Sequence, residues 1–282
     1  MIKETEREDQ DFLSKLIINK GSNTKMTILF FSIIILCCFL NTYQRNGVWE
    51  EETALWCDCV LKSPYKARPH NNLGTIYIEK GMLNEAISEC KKALAINPTY
   101  ADAHNNLGNI YGKKGRLDEA IEEFERALAI NPHYAKAHHN LGITYVNKGM
   151  VDEAISEYKK ALTIKPNFAE AHNDFGNVYF KKGMLDEAIS EYKKTLAINP
   201  HYAKAHNNLG SAYSIKGRLN EAIVEFERAL AIEPYYADAH KNLSAAYYYK
   251  GNYKLAIVHC DKAIELGGSV NQKLLELLKP YH

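Results

Sequence analysis

The sequence lacks an excess of charge of either sign, because its 35 Lys and Arg residues are balanced by 34 Asp and Glu residues. Proteins that bind polyanions usually cluster basic residues on one face. Here acidic and basic residues are intermixed along the chain, as in DEAIEEFERAL at residues 118–128. We therefore expect no nucleic-acid partner.

Recognisable catalytic motifs are also lacking. The sequence contains no Gly-rich phosphate loop, no HExxH pair and no nucleophile elbow. These short patterns place phosphate-binding amides, zinc ligands or an activated serine in other proteins. We therefore expect no self-contained enzymatic activity, no cofactor and no metal site.

Proline is scarce, with eight residues, but its placement is regular. Six prolines recur every 34 residues: Pro64, Pro98, Pro132, Pro166, Pro200 and Pro234. Histidine keeps the same step: His70, His104, His138, His172, His206 and His240. Tyrosine does so as well: Tyr77, Tyr111, Tyr145, Tyr179, Tyr213 and Tyr247. A strict period of this length indicates an array of helical repeats.

The unit at residues 101–134 predicts a pair of helices. Its first half carries small and apolar residues at helical spacing: Ala103, Leu107, Gly108 and Tyr111. Its second half carries another stripe: Leu117, Ala120, Ile121, Phe124, Ala127, Leu128 and Ile130. Gly115 should end the first helix, and Pro132, which has no N–H, should end the second. Neither helix can bury its stripe alone, so neighbouring repeats should stack into a continuous core.

This pattern resembles the tetratricopeptide repeat, in which a large residue, Leu-Gly, Tyr, Gly, Ala, an aromatic residue, Ala and Pro recur in that order. The resemblance covers about Ala67 to Ser269 and implies an all-α, right-handed superhelical solenoid. Its six repeats would be 67–100, 101–134, 135–168, 169–202, 203–236 and 237–269. Because the ends of a solenoid need covering, we also expect a starting helix within residues 44–66 and a polar closing helix near Val270–Leu278, in a segment of residues 270–282.

The six cysteines do not predict a disulfide framework. Cys90 and Cys260 stand where other repeats carry Phe or Tyr, so both should be core residues. Cys57 and Cys59 lie two residues apart on the expected starting helix and should point in different directions, which favours unpaired thiols.

One apolar run stands apart from the repeats. MTILFFSIIILCCFL, residues 26–40, continues without a charge to Tyr43, which gives about 18 residues against the roughly 20 that span a bilayer. A cleaved signal peptide would need small residues after the run, and a core helix would show a polar face. We favour a transmembrane anchor at residues 26–43 over both alternatives.

Basic residues flank this segment unequally. Lys15, Lys20 and Lys25 precede it, whereas up to Val60 only Arg45 follows it. Because basic flanks stay on the cytoplasmic side, residues 1–25 should be cytoplasmic and the repeats extracytoplasmic.

The segment after the anchor suggests a second resemblance. YQRNGVWEEETALW at residues 43–56, followed by Ser63-Pro64, resembles the junction in membrane glycosyltransferases of the O-mannosyltransferase type, where the last transmembrane helix leads into extracytoplasmic repeats. Six residues of this region should form the starting helix: Trp49, Ala54, Leu55, Trp56, Cys59 and Val60. Such enzymes carry their catalytic site on a multi-pass domain, which one apolar segment cannot supply. The resemblance therefore implies a non-catalytic tail or subunit.

The second asparagine of the recurring HNNLG pattern gives a candidate peptide-binding site: Asn72, Asn106, Asn140, Asp174, Asn208 and Asn242. Each stands beside a core Leu or Phe and should face the inner groove of the solenoid. A carboxamide both donates and accepts hydrogen bonds, and the series resembles the asparagines with which the repeats of O-GlcNAc transferase hold a substrate backbone. Alternatively, each asparagine bonds a neighbouring turn and keeps the repeats in register. The residues alone favour neither hypothesis.

Further residues should line the same groove. Lys136 and His139 lie on a helical stripe beside Asn140, and Tyr248 and Tyr249 should offer apolar contacts at the far end. The periodic histidines should be partly buried against the preceding repeat, because helices roughly 10 Å apart hold imidazoles too far from one another to share a zinc ion.

These features predict a membrane-anchored, non-catalytic scaffold that binds an extended peptide or a protein partner in its concave groove. The alternative is a tail or subunit of a membrane protein glycosyltransferase that presents the acceptor polypeptide.

Overall fold

A computed structural model describes residues 52–281, and its regular structure is helical. Helix α1 spans Glu52–Lys62. Six helical hairpins follow: α2 Ala67–Glu79 with α3 Leu83–Ile96, α4 Ala101–Lys113 with α5 Leu117–Ile130, α6 Ala135–Lys148 with α7 Val151–Ile164, α8 Ala169–Lys181 with α9 Leu185–Ile198, α10 Ala203–Ile215 with α11 Leu219–Ile232, and α12 Ala237–Tyr249 with α13 Tyr253–Glu265. Helix α14, Gln272–Leu278, and a 3₁₀ turn, Lys279–Tyr281, close the array. The prediction of an all-α solenoid of six repeats is confirmed.

The predicted tail and anchor, residues 1–43, and Trp49 lie outside the described residues. Within residues 52–281, no helix combines the length and the hydropathy needed to cross a bilayer.

Each of the first five hairpins depends on two glycines with different roles, as the second repeat shows. Gly115 adopts φ 73°, a left-handed conformation that ends α4 and reverses the chain. Gly108 lets α4 approach α5, because a Cβ atom at that position would lie 2.7 Å from the Phe124 ring. Phe124 is fully buried there, as predicted. The expected stripe on α5 is wrong at its last residue, since Ile130 is exposed at the helix end.

The prediction that Cys90 and Cys260 are core residues is confirmed. Cys90 and Cys260 are fully buried in the aromatic slot of the first and last repeats. The Cys57 and Cys59 thiols are free and half-buried on α1.

The closing helix differs from the prediction of a polar helix. Leu274 and Leu278 of α14 are buried in the core of the last repeat. The helix is amphipathic, because one face packs these leucines against the core while the other faces solvent.

Candidate peptide-binding groove

Two columns of polar side chains run along the first helices of the repeats. The first asparagine of the HNNLG pattern is buried, as at Asn105, and the second is half-buried, as at Asn140. Asn140 Nδ2 donates to Asn105 Oδ1 of the preceding repeat at 3.0 Å. The same bond joins Asn106 to Asn71, Asn208 to Asn173, and Asn242 to Asn207, at 2.9, 3.1 and 3.0 Å.

Three of these amides also reach a second acceptor one turn further along the preceding repeat. The acceptors are Thr75 Oγ1 for Asn106, Asn177 Oδ1 for Asn208 and Ser211 Oγ for Asn242, at 3.1, 3.0 and 3.4 Å. The series therefore links successive repeats through side chains, whereas the register hypothesis had named the backbone of a neighbouring turn. The Oδ1 atoms of Asn106, Asn140, Asn208 and Asn242 accept no hydrogen bond from the described residues. Peptide binding by the series stays a prediction, with these oxygens as its contact atoms.

The junction between the third and fourth repeats breaks the asparagine pattern. His139 Nε2 lies 2.9 Å from Asp174 Oδ2, and Asn173 Nδ2 lies 3.2 Å from the other carboxylate oxygen. His139 is buried, with its ring 4.8 Å from that of Phe168. The structure thus places His139 inside the repeat interface rather than on the open face of the groove, because the carboxylate and the aromatic ring both draw it inward.

Three cavities open between consecutive first helices, and each is lined by a residue of the second-asparagine series. Their volumes are about 460 Å³ beside Asn140, 160 Å³ beside Asp174 and 300 Å³ beside Asn242. The walls are mainly apolar, with the Phe124, Tyr158 and Phe226 rings among them. An extended chain laid along the first helices would therefore meet alternating polar and apolar sites.

The remaining predicted groove residues lie on the same helices. Asn72 is half-buried on α2, and Lys136 is exposed on α6. Tyr249 is 69% exposed and lines the cavity beside Asn242, while Tyr248 is half-buried with its ring 5.5 Å from that of Tyr249. These side chains can offer charge and aromatic surface to a ligand.

Sequence reasoning missed the partners of the periodic histidines. In the first five repeats each imidazole Nδ1 lies 2.5–2.6 Å from a glutamate 19 residues later: Glu89, Glu123, Glu157, Glu191 and Glu225. Each Nε2 lies 3.0–3.1 Å from the carbonyl oxygen of the preceding periodic proline. The regular glutamate at that spacing was the available signal. We expected the periodic histidines to be partly buried, but all six are buried.

The charge on these pairs follows from the donors and acceptors. A proline carbonyl can only accept, so Nε2 carries a proton. Burial would raise the pKa of Glu157, but hydrogen bonds from His138 and Lys160 outweigh it and hold that pKa below its ordinary value. The Glu157 carboxylate and the Pro132 carbonyl thus hold the two ring nitrogens of His138 from two repeats.

Comparison with known proteins agrees with this architecture. A protein-family model described as TPR repeat, the tetratricopeptide repeat, matches residues 74–115, 108–149, 144–183, 176–214 and 210–251. The solved structure of the Cut9–Hcn1 hetero-tetramer is similar in fold, with a TM-score of 0.71, 21% identity, and coverage of 83% of this chain and 45% of that one.

Two further solved structures have similar sequences as well. YrrB, described as a TPR protein with an unusual peptide-binding site, is 27% identical with a TM-score of 0.50, over 65% of this chain and 95% of its own. MamA is 29% identical with a TM-score of 0.53, over 57% of this chain and 94% of its own.

Curated relatives are similar over shorter stretches. A protein O-mannosyl-transferase of Caenorhabditis elegans is 30% identical over 67 residues, which are 24% of this chain and 10% of that protein. The O-mannosyl-transferase Tmtc2 of Drosophila melanogaster is 28% identical over 86 residues, or 30% of this chain and 9% of that protein. The matched stretch is thus about a tenth of the length of these relatives.

Proposed function

Because this chain belongs to the tetratricopeptide repeat family, we propose that it is a non-catalytic scaffold that binds an extended peptide or a protein segment along its first helices. The supporting observation is the row of cavities beside Asn140, Asp174 and Asn242. At Asn140 and Asn242 the amide is held by the preceding repeat, so its oxygen is fixed in orientation toward a ligand N–H.

The proposal includes a membrane anchor at residues 26–43, with the repeats outside the cytoplasm. It rests on the charge-free run and on the three lysines that precede it. An anchored groove would concentrate its partner at the membrane surface.

The first step of the test is to recover the ligand. A photo-crosslinking amino acid at Lys136, which is exposed on the first-helix face, would trap the bound segment in cells, and mass spectrometry would identify it. The recovered peptide would then be titrated against the full chain in detergent.

A triple variant, Asn106, Asn140 and Asn208 to Ala, tests the role of the series. Each lost hydrogen bond costs roughly 0.5–1.5 kcal/mol, so affinity per folded molecule should fall at least about tenfold. The matched control is Asn97, Asn131 and Asn199 to Ala, which removes four linker side-chain bonds outside the groove. Undiminished affinity in the groove variant, measured below its melting temperature, would exclude the asparagines as ligand contacts.

The alternative function is a tail or subunit of a membrane protein glycosyltransferase, in which the groove presents the acceptor polypeptide. The junction at residues 43–56 and the two O-mannosyl-transferase relatives favour it. Co-purification of a multi-pass membrane protein without repeats of its own, encoded next to this chain, would support this alternative over an independent scaffold.

A further inference from the structure

The opposite face of the array, formed by the second helices, carries a separate set of contacts between repeats. In the second and fifth repeats the 25th residue, Glu125 or Glu227, lies opposite the periodic tyrosine of the following repeat. Tyr247 donates its hydroxyl to Glu227 Oε1 at 2.7 Å, and Tyr145 donates to Glu125 Oε1 at 3.4 Å. At these two junctions a carboxylate of the chain itself bridges the gap between neighbouring repeats.

The two junctions between them carry lysine instead of glutamate. Lys193 and Tyr213 line one cavity together, and Lys159 and Tyr179 are their counterparts one repeat earlier. Both lysines are exposed and form no ion pair with the described residues, and neither tyrosine hydroxyl makes a hydrogen bond there. The first junction also carries a lysine, Lys91. The junction after it carries Glu125, so Lys91 has no neighbouring lysine junction.

Each of these two junctions opens into a groove on the second-helix face. The cavities measure about 700 Å³ and 540 Å³. Ten lining positions of one have a counterpart in the other at the 34-residue period, whereas Tyr213 lines the second cavity and the corresponding Tyr179 lies outside the lining of the first. Apolar residues form the walls: Leu162, Phe175 and Ile198 in one, and Leu196, Leu209 and Ile232 in the other. We call them the outer grooves.

The charge of the outer grooves is positive. Their glutamates, Glu191 and Glu225, are already paired with the periodic histidine and with Lys194 or Arg228. The charges of Lys159 and Lys193 are therefore uncompensated in this part of the chain.

We infer that the outer grooves bind an acidic peptide segment, one carboxylate to each groove. The carboxylate accepts a hydrogen bond from the Tyr179 or Tyr213 hydroxyl and pairs with Lys159 or Lys193. The same arrangement occurs within the chain, where the Tyr247 hydroxyl donates to the Glu227 carboxylate. An adjacent apolar side chain of the ligand packs against the walls.

The period of the array sets the spacing of the ligand. Equivalent helices of neighbouring repeats lie roughly 10 Å apart. A chain in the polyproline II conformation advances about 3.1 Å per residue and returns to the same face every third residue, so two carboxylates about three residues apart can enter both grooves. Tyr213 is 5% exposed at the bottom of its groove, within reach of a single extended chain but not of a bilayer surface. This site is independent of the first-helix groove.

The test uses a fluorescein-labelled peptide, Gly-Glu-Leu-Gly-Glu-Leu-Gly, titrated against the full chain in detergent by fluorescence anisotropy. The variant Lys159→Glu with Lys193→Glu installs the acid found at the two bridged junctions. It should weaken binding at least about tenfold, because each groove loses an ion pair and its tyrosine gains an internal acceptor. Its melting temperature should not fall, since the same arrangement exists at Glu227.

Two controls separate this site from a general charge effect. Lys80→Glu with Lys254→Glu makes the same net charge change at two exposed residues that line none of the cavities described above, and it should leave the affinity within about twofold of the parent. The peptide with Gln in place of Glu should bind at least about tenfold more weakly than the Glu peptide. Equal binding of the two peptides, equal losses in the two variants, or retention by the double variant would overturn the inference. Binding of phosphatidylserine vesicles, lost in the double variant and accompanied by no peptide binding, would reassign the grooves to lipid headgroups.

Discussion

In the sixth repeat, His240 Nδ1 lies 2.9 Å from His259 Nδ1, at the place where the five preceding repeats put a glutamate opposite the histidine. His240 Nε2 also meets the Pro234 carbonyl oxygen at 3.1 Å. Burial and the neighbouring His240 lower the pKa of His259, against a smaller opposing effect of Glu227. The last repeat thus holds two facing imidazoles where a second positive charge is disfavoured.

Mild acid should therefore loosen the sixth repeat first. The folded-state pKa of His259 lies below the ordinary 6.5, so the unfolded chain binds more protons, and stability falls as the pH drops below about 6.5. Hydrogen exchange, corrected for its intrinsic pH dependence, should show faster opening of α13 than of α5 at about pH 5.5 but not at about pH 7.5. His259→Glu should remove the difference, and an unchanged acid response in that variant would contradict the assignment to this pair.

Removing a glutamate from one histidine pair should destabilise the middle of the array. Glu157→Gln replaces the carboxylate opposite the buried His138 Nδ1 with a neutral amide, which should lower the free energy of unfolding by about 2–4 kcal/mol. The control is Glu153→Gln, an exposed residue on the same helix.

The pH dependence of this effect has a definite sign. The pKa of Glu157 is lowered in the folded state, so its contribution is present above the ordinary value of 4.5 and is lost as the pH falls through the folded-state pKa. Urea unfolding of the parent and of both variants should show that the difference in unfolding free energy between the parent and Glu157→Gln disappears below about pH 4. A difference in unfolding free energy that persists at this low pH would rule out the ion pair as its origin.

Gly142 should tolerate no side chain while Tyr158 is present. A Cβ atom at Gly142 would lie 2.8 Å from the Tyr158 ring, so Gly142→Ala should cost about 1–3 kcal/mol. Gly112→Ala is the matched control. Nothing would lie within 4 Å of its Cβ, and replacing glycine inside a helix should stabilise by about 0.5–1 kcal/mol.

The last repeat supplies a rescue for that change, because it pairs Ser244 with Cys260 in the same slot, and the Ser244 hydroxyl donates to the Ala256 carbonyl at 2.7 Å. Gly142→Ser should be less harmful with Tyr158→Cys than alone. Additive losses in a double-mutant cycle would argue against direct contact.

The predicted membrane topology can be tested by protease protection. We expect protease added to sealed cells to remove the repeats while a tag on residues 1–25 stays protected, because the three lysines before the apolar run should remain cytoplasmic. Protected repeats with a cleaved tag would reverse the proposed orientation.

The sequence predicted the hairpins well because each depends on local features that recur. The contact of Gly108 with Phe124 and the turn at Gly115 follow from residue size and backbone conformation alone. The expected stripe failed at Ile130, where the helix ends and no neighbour covers the side chain.

The polar contacts were harder to predict, because they join residues far apart in the chain. Asn140 bonds a residue 35 positions earlier, and His138 bonds one 19 positions later. Hydrophobic periodicity places a residue on a face of its helix but does not say which polar group of the next helix meets it. Only the repeated coincidence of histidine with a glutamate at fixed spacing carried that information.

The His139–Asp174 contact has a consequence for how the chain assembles. Near-identical repeats can dock on the wrong neighbour during folding, and most asparagine pairs would not oppose this, since any member of one column can bond any member of the other. A third repeat docked on the fifth would set His139 against Asn208 and separate it from its carboxylate. In that arrangement the buried imidazole and the carboxylate both lose their hydrogen-bond partner, which makes docking of the third repeat on the fifth less stable. This junction therefore favours the native pairing of the third repeat with the fourth over a skipped pairing.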